Sequence, residues 1–373
     1  MKIAHISDTH LGYTAYSKVD EETSLNQREI DVFNAFRRVI DEILKIKPDL
    51  VLHSGDLFDS VRPTNRALSF AIEQMLRVTE QGIPIIVIAG NHSTPRLQET
   101  GSVFRIFEHI KGIVPVYKGS YEKVQIGDVA IHAIPHCEND LMRRNIEKIE
   151  LDKGAKYNIM MMHVGVIGLG VFRMDEFNET VIQSSYLKRE FDYIALGHYH
   201  GFCEVINNAF YAGSTERLSF AEANQRKGFI VLDLGECKRK FIEIPTREMI
   251  DLPVIDAMRM DSITLKEEIE RIVESQPIEG KIVRLKIKNL RSSLYKALDF
   301  GWIREMTRSA LVFDLKYDLI QENVAVQQPT AVVRSLHEEF ISFLERYPLE
   351  GVSKESIKEL GLGYLHRGME QSD

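Results

Sequence analysis

Two carboxylates, one amide and four imidazoles stand in short motifs along the chain: Asp8-Thr9-His10, Gly55-Asp56, Gly90-Asn91-His92, His163 after Met160-Met161-Met162, and Gly197-His198-Tyr199-His200. Each follows directly on an apolar run. Residues two apart on an extended segment point the same way, so Asp8 with His10, and His198 with His200, can each aim two donors at one point. Asp8, His10, Asp56, Asn91, His163, His198 and His200 are too many for a structural zinc site, which takes four ligands and usually sulfur. They suit two adjacent divalent cations in mixed oxygen and nitrogen coordination: Mn2+, with Mg2+, Fe or Zn as alternatives, rather than Ca2+ or Cu. Such a pair, about 3.5–4 Å apart, activates water near neutral pH and clamps both oxygens of an in-line displacement. Its charge outweighs the two aspartates and attracts an anionic phosphoryl group. Any one motif alone reads as a turn or a satisfied core histidine; it is their succession at strand ends that packing does not explain. His5 and His53 lie inside strands, and His109, His132, His136, His337 and His366 lack a motif, so these read as structural or surface residues.

The elements that position these donors alternate between strand and helix. Ile3–Ser7 is an apolar strand; Ile30, Phe33, Phe36, Ile40 and Ile43 recur at helical spacing within 26–46; Pro48 stops that helix before a second strand, Leu50–Ser54. A helix over 65–79 and a strand at Ile85–Ala89 repeat the pattern, which implies parallel strands with right-handed crossovers. A hairpin follows around Gly127-Asp128, then short strands at 158–162, 193–196, 209–212 and 228–234. Residues 1–245 thus read as one sandwich-like α/β domain with its ligands at the carboxyl ends of strands, where an open sheet leaves a crevice. Residues 246–320 read as a small α+β domain, with a helix at Leu265–Ser275 and a strand, Lys281–Ile287, whose alternating Lys and Arg predict a wet, positive face. Residues 321–373 read as a helical tail. Val333, Leu336, Phe340, Phe343 and Tyr347 form an apolar stripe, and a short helix, Lys354–Leu360, carries Ser353 as N-cap and Gly361 just beyond its end.

The chain has 373 residues, 44% of them hydrophobic, so it can bury more than one core. With 23 Gly and 11 Pro and no low-complexity tract, collagen-like and disordered classes are excluded. No run approaches the ~20 apolar residues of a membrane span. The N-terminus lacks the layout of a secretion signal, and three scattered cysteines make no disulfide framework. A cytoplasmic location without membrane association is the expectation. A net charge of −8 argues against a module that grips nucleic acid by phosphate neutralisation alone, though not against an enzyme whose positive charge is bound metal.

The ordered motifs resemble those of the calcineurin-like metallophosphoesterases. The strings His5-Ile6-Ser7-Asp8-Thr9-His10-Leu11-Gly12-Tyr13 and Gly55-Asp56-Leu57-Phe58-Asp59-Ser60-Val61-Arg62-Pro63 are similar to the meiotic-recombination-eleven/SbcD branch. The resemblance implies a metallophosphoesterase β-sandwich flanked by helices, with a capping, DNA-binding domain and a helical tail. It implies a Mn2+-dependent DNA exo- and endonuclease of double-strand-break repair, partnered by DNA, a coiled-coil ATPase docking on the tail, and a second copy of the chain. On the family's pattern one cation is held by Asp8, His10, Asp56 and His200, and the other by Asp56, Asn91, His163 and His198. His92 is the catalytic residue over the scissile group, assisting departure of the leaving oxygen. Two departures stand out. Ser93 replaces an acid that orients the Gly-Asn-His motif, which predicts altered support and lower activity; Asp59 stands where some relatives carry histidine, and reads as a cap of the loop before Arg62-Pro63.

The same dimetal chassis could serve a phosphomonoesterase or cyclic-nucleotide phosphodiesterase, and a metal-free scaffold would keep the fold alone. A basic capping domain and an apolar tail favour the nuclease, since a small substrate needs neither. The tail stripe serves either intramolecular packing or partner docking. For the second copy, which the resemblance alone implies, Leu68, Ile72 and Leu76, or Leu97 and Phe104, are the candidate face, and a buried intramolecular role suits them equally.

Overall fold

The computed structural model describes residues 1–95, 101–167, 180–320, 336–346 and 353–370. The chain divides into two compact units, Met1–Ile320 and Gln321–Asp373. In the first unit the order is β1 (Lys2–Ile6), α1 (Gln27–Ile46), β2 (Leu50–His53), α2 (Asn65–Thr79), β3 (Ile85–Ile88), β4 (Ile113–Val116), β5 (Glu122–Ile126), β6 (Val129–Ile134), α3 (Asn139–Glu147), β7 (Tyr157–His163), β8 (Gly165–Ile167), β9 (Val181–Gln183), β10 (Tyr193–Gly197), β11 (Cys203–Ile206), β12 (Ala209–Tyr211), β13 (Gly228–Asp233) and β14 (Lys238–Glu243). It continues through β15 (Met249–Asp251), β16 (Ile255–Asp256), α4 (Ser262–Glu274), β17 (Ile282–Arg291), α5 (Ser292–Ala297), α6 (Phe300–Met306) and β18 (Val312–Ile320).

Two six-stranded sheets, ordered β14-β13-β1-β2-β3-β4 and β11-β12-β10-β7-β6-β5, face each other. Period-two alternation decides which residues fill the space between them. Ile3, Leu50, Leu52, Ile86 and Ile88 of the first sheet pack with Ile131, Ile159, Met161, Tyr193 and Phe210 of the second. Ala4, Ile6, Val51, Ile85 and Val87 point the other way, onto Phe36, Val39, Ile40 and Ile43 of α1 and Phe70 and Met75 of α2. Met161 faces inward while Met160 and Met162 face α3, so the methionine run serves two cores. Each fully buried aliphatic side chain contributes about 1.5–3 kcal/mol.

The βαβ reading holds for β1, β2, β3 and β4, which pair in parallel in that order. Helix α1 starts where the Asn26 side chain accepts from Arg28 N and ends at Lys47, in the left-handed region at φ 50°, before Pro48. Gly127-Asp128 turns the antiparallel β5–β6 hairpin.

Beyond residue 245 the structure departs from expectation in two ways. Strand β17 pairs in parallel with β15, β16 and β18, so α4, α5 and α6 are crossovers, and this segment is an α/β rather than an α+β arrangement. Nor is the face of β17 freely positive. The parallel register sets Asp251 opposite Arg284, which it binds at 2.6 and 2.9 Å, and Lys286 reaches the same carboxylate at 3.4 Å. Helix α4 begins three residues earlier than its apolar periodicity, because Asp261 and Thr264 form a capping box.

In the second unit, α7 (Leu336–Arg346) and α8 (Lys354–Glu370) are helices. Val333 and Tyr347 of the stripe lie outside the described residues. The expected stop at Gly361 is a correction: α8 runs through it. A Cβ there would lie 2.1 Å from the Phe340 ring, so Gly361 lets two helices approach closely instead of ending one.

Candidate metal centre

The donors leave both sheets at their carboxyl ends and meet. Asp8 follows β1, Asp56 follows β2, Asn91 follows β3, His163 ends β7, and His198 follows β10. Turning a strand abruptly into the site demands unusual backbone. Among the described residues, four of the nine non-glycine positions with positive φ are Asp8 (50°), His10 (47°), Asp56 (50°) and His198 (102°). Left-handed conformations at such residues cost on the order of 1–3 kcal/mol each and persist where the surroundings over-determine them. Here main-chain bonds do so: Asp8 N donates to Gly55 O at 3.0 Å, His10 N to Asp56 O at 3.0 Å, and Leu11 N to Leu57 O at 2.9 Å. Gly197 sits so tightly between the sheets that a Cβ would lie 1.9 Å from Ser54 O.

Asp8, His10, Asp56 and His163 are buried, whereas Asn91, His92, His198 and His200 are partly exposed and form the open face. One group gathers Asp8, His10 and His200, with the two Nε2 atoms 3.1 Å apart. Another gathers Asp8, Asp56 and His163. His163 Nε2 is 3.1 Å from Asp56 Oδ2 and 2.8 Å from Asn91 Oδ1, and His198 Nδ1 is 3.1 Å from that same amide oxygen. Asp56 Oδ2 is also 4.0 Å from His10 Nε2, between the two groups. Facing nitrogens and carboxylates at such separations repel or compete for a proton unless something positive lies among them, so the donor chemistry fits a pair of divalent cations.

The outer hydrogen bonds fix which ring nitrogen is offered. His163 Nδ1 donates to Ser54 O at 2.9 Å, His10 Nδ1 lies 3.1 Å from Asp59 Oδ1, and His200 Nδ1 lies 3.1 Å from Glu222 Oε1, leaving each Nε2 to face inward. The carboxylates are held by main-chain donors: His198 N reaches Asp8 Oδ1 at 3.0 Å, and His92 N reaches Asp56 Oδ1 at 3.0 Å. Burial opposes charge on Asp56 and His163, but each supplies the other's counter-charge. Asp56 is held well below the ordinary carboxylate range and His163 is raised to about 9. His198 is pushed down to about 3 by burial and by the His163 charge.

His92 stands at the rim, its side chain 32% exposed, with Nδ1 2.9 Å from the Asp59 carbonyl and its ring centroid 4.7 Å from that of His10. Asp59 is therefore not merely a loop cap: its side chain supports His10 and its main chain supports His92. Ser93 is fully buried, and its Oγ has no hydrogen-bond partner among the described residues, so the hydroxyl does not replace an acid's support. Glu222 and Lys227 are invisible to motif reading, because they reach His200 from 22 and 27 residues downstream. His5 and His53 are buried structural residues as expected. His5 bonds Tyr193 Oη and Ser54 Oγ, each at 2.9 Å, and burial lowers both histidines to about 3. Of the expected self-association face, Phe104 is wholly buried against Phe58 and Phe107, Leu97 lies outside the described residues, and Leu68 and Ile72 are partly exposed.

Among the described residues no helix is long and apolar enough to cross a membrane. The profile of the calcineurin-like phosphoesterase family matches residues 1–202. The DNA double-strand break repair protein Mre11 of Methanococcus maripaludis is 34% identical over 249 residues, covering 63% of this chain and 63% of that protein, so the match spans just under two thirds of its length. The protein of the same name from Methanocaldococcus jannaschii is 30% identical over 305 residues, 76% of this chain and 77% of that one. That from Sulfurisphaera tokodaii is 30% identical over 290 residues, 73% and 69% respectively.

Proposed function

The chain belongs to the calcineurin-like phosphoesterases, among relatives of Mre11, and from that premise we propose that it is a metal-dependent DNA nuclease of double-strand-break repair. The observation that carries this reading is the meeting of Asp8, His10, Asp56, Asn91, His163, His198 and His200 from two sheets at one open face. Asp8, His10, Asp56 and His200 would hold one cation, and Asp56, Asn91, His163 and His198 the other, with Mn2+ the proposed metal. Bound there, two divalent cations supply Lewis acidity: they lower the pKa of water and neutralise charge on the phosphodiester. Asn91 offers an oxygen without charge and so does not repel that phosphate. The Asp59 carbonyl accepts from His92 Nδ1, so Nε2 is the ring atom at which a proton is gained or lost, and in the imidazolium form it would give that proton to the departing 3′-oxygen.

Further parts of the reading rest on surfaces. The α7–α8 pair is proposed to dock a coiled-coil ATPase: Phe343, Leu360 and Tyr364 are 62%, 62% and 64% exposed, an apolar set that suits helix-on-helix recognition. A second copy is proposed to pack on the shallow groove of about 540 Å³ beside α2, lined by Val61, Pro63, Leu68, Val103 and Ile106.

The test is incubation of the purified chain with end-labelled duplex DNA and Mn2+, with EDTA and His92→Asn as controls. Cleavage that EDTA abolishes and His92→Asn reduces at least 100-fold is expected. Rapid turnover of p-nitrophenyl phosphate with DNA left intact would overturn the nuclease reading.

A further inference from the structure

His200 is gripped at two points by a buried ion pair: Lys227 holds its main-chain carbonyl and Glu222 its imidazole. Lys227 is fully buried, and its ammonium shares three N–H donors among four acceptors: the His200 main-chain carbonyl at 2.9 Å, Ser214 Oγ at 2.8 Å, Gln225 Oε1 at 3.0 Å and the Glu222 carboxylate. Glu222, also buried, spends Oε1 on His200 Nδ1 and on Ser219 Oγ, the latter at 3.2 Å, while Oε2 accepts from Ser214 Oγ at 3.2 Å and Leu218 N at 3.4 Å. Such a carboxylate has almost no freedom, so the imidazole it holds is locked in tautomer and in orientation. Lys227 balances its charge, and the pair orients His200 without adding net charge to the site.

In the Asp8, His10 and His200 group both imidazoles are backed by carboxylates, Asp59 behind His10 and Glu222 behind His200. In the other half, His163 is backed by the neutral Ser54 carbonyl. A carboxylate behind an imidazole raises its strength as a ligand more than a carbonyl does. We propose that Glu222, fixed by Lys227, is the positioning residue for His200, and that with Asp59 it sets the affinity of the cation position that His10 and His200 share. This rests on the reading that the site holds two divalent cations.

The test is calorimetric titration of the metal-free full-length chain with Mn2+. Wild type should show two binding events. The paired variant Glu222→Gln/Lys227→Met removes both charges together and leaves no unpaired ammonium in the core. It should weaken one event about 10- to 100-fold and leave the other within threefold, with an unchanged circular-dichroism spectrum. Asp59→Asn, at a side chain 31% exposed, should weaken the same event about 10-fold; it supplies the answer if the paired variant fails to fold. Unchanged affinities in the folded variants, or equal loss from both events, would overturn the positioning role. A wild-type chain that takes up fewer than two ions would instead sink the two-cation reading beneath it.

Discussion

A methyl group placed on Gly90 would lie 2.2 Å from Asp56 Oδ1 and 2.6 Å from both its carboxyl carbon and its main-chain nitrogen, where ordinary contact begins at 3.4 Å. Gly90 has φ −97°, a conformation alanine adopts freely, so Gly90→Ala probes space alone and not backbone strain. Asp56 cannot retreat easily: its carbonyl accepts from His10 N and its Oδ1 from His92 N, each at 3.0 Å. Either the carboxylate or the Asn91-His92 backbone must shift by about 1 Å, and a misplacement on that order at a reacting centre costs about 100-fold in rate, or ~2.7 kcal/mol. Overpacking should lower stability by a further ~1–3 kcal/mol. The assay is DNA cleavage in Mn2+, with metal uptake and thermal melting measured on the same preparation. Gly363→Ala, where a Cβ meets nothing within 4 Å, is the control and should cleave as wild type does. Cleavage and metal uptake by Gly90→Ala within threefold of wild type would refute the assignment of Asp56 to the centre.

Asp31 accepts from Arg247 Nε at 2.6 Å, Arg247 Nη2 at 2.7 Å and Arg28 Nη1 at 2.6 Å, tying α1 to the start of the 246–320 segment. Asp31→Ala takes the nearer carboxylate from buried Arg28, leaving it Glu216 at 3.7 Å and the Arg217 carbonyl, and should cost about 3 kcal/mol; a melting temperature lowered by less than about 2 °C would contradict this. Gly361→Leu drives a side chain into Phe340 and should separate α7 from α8, abolishing capture of the ATPase partner while DNA cleavage persists; pull-down and nuclease assays on one preparation check both halves. Arg284, by its hydrogen bonds, holds Asp251 below its ordinary 3.8, so the pair stabilises the fold above about pH 4 and loses that contribution as pH falls through the depressed value. The melting-temperature gap between wild type and Arg284→Ala should therefore shrink from pH 6 to about pH 3, and a gap that widens would be inconsistent with it.

Much of the first 245 residues was legible because the forces that shape it are local. Apolar runs bounded by Pro48 and by the turn at Gly127-Asp128 mark strands that exist within a residue or two of expectation. The donors were legible because Asp8-Thr9-His10 and His198-Tyr199-His200 carry their chemistry within three residues. The errors arose where a residue's role is set by a neighbour distant in sequence. Gly361 reads as a helix stop until Phe340 is seen above it, and Arg284 reads as a free positive charge until Asp251 stands opposite. Phe104 reads equally as a docking or a core residue until the Phe58 and Phe107 rings are seen to enclose it.

Which atoms could bind a cation, and that they end strands, can be read from short stretches of chain, since ligand type and strand periodicity are properties of a few adjacent residues. Folding in three dimensions is what brings Asn91 to His198, sets Asp59 and Glu222 behind His10 and His200, and buries Lys227 among them. Those meetings join residues up to more than a hundred positions apart, and their distances follow from how two sheets twist and stack, which no local pattern encodes.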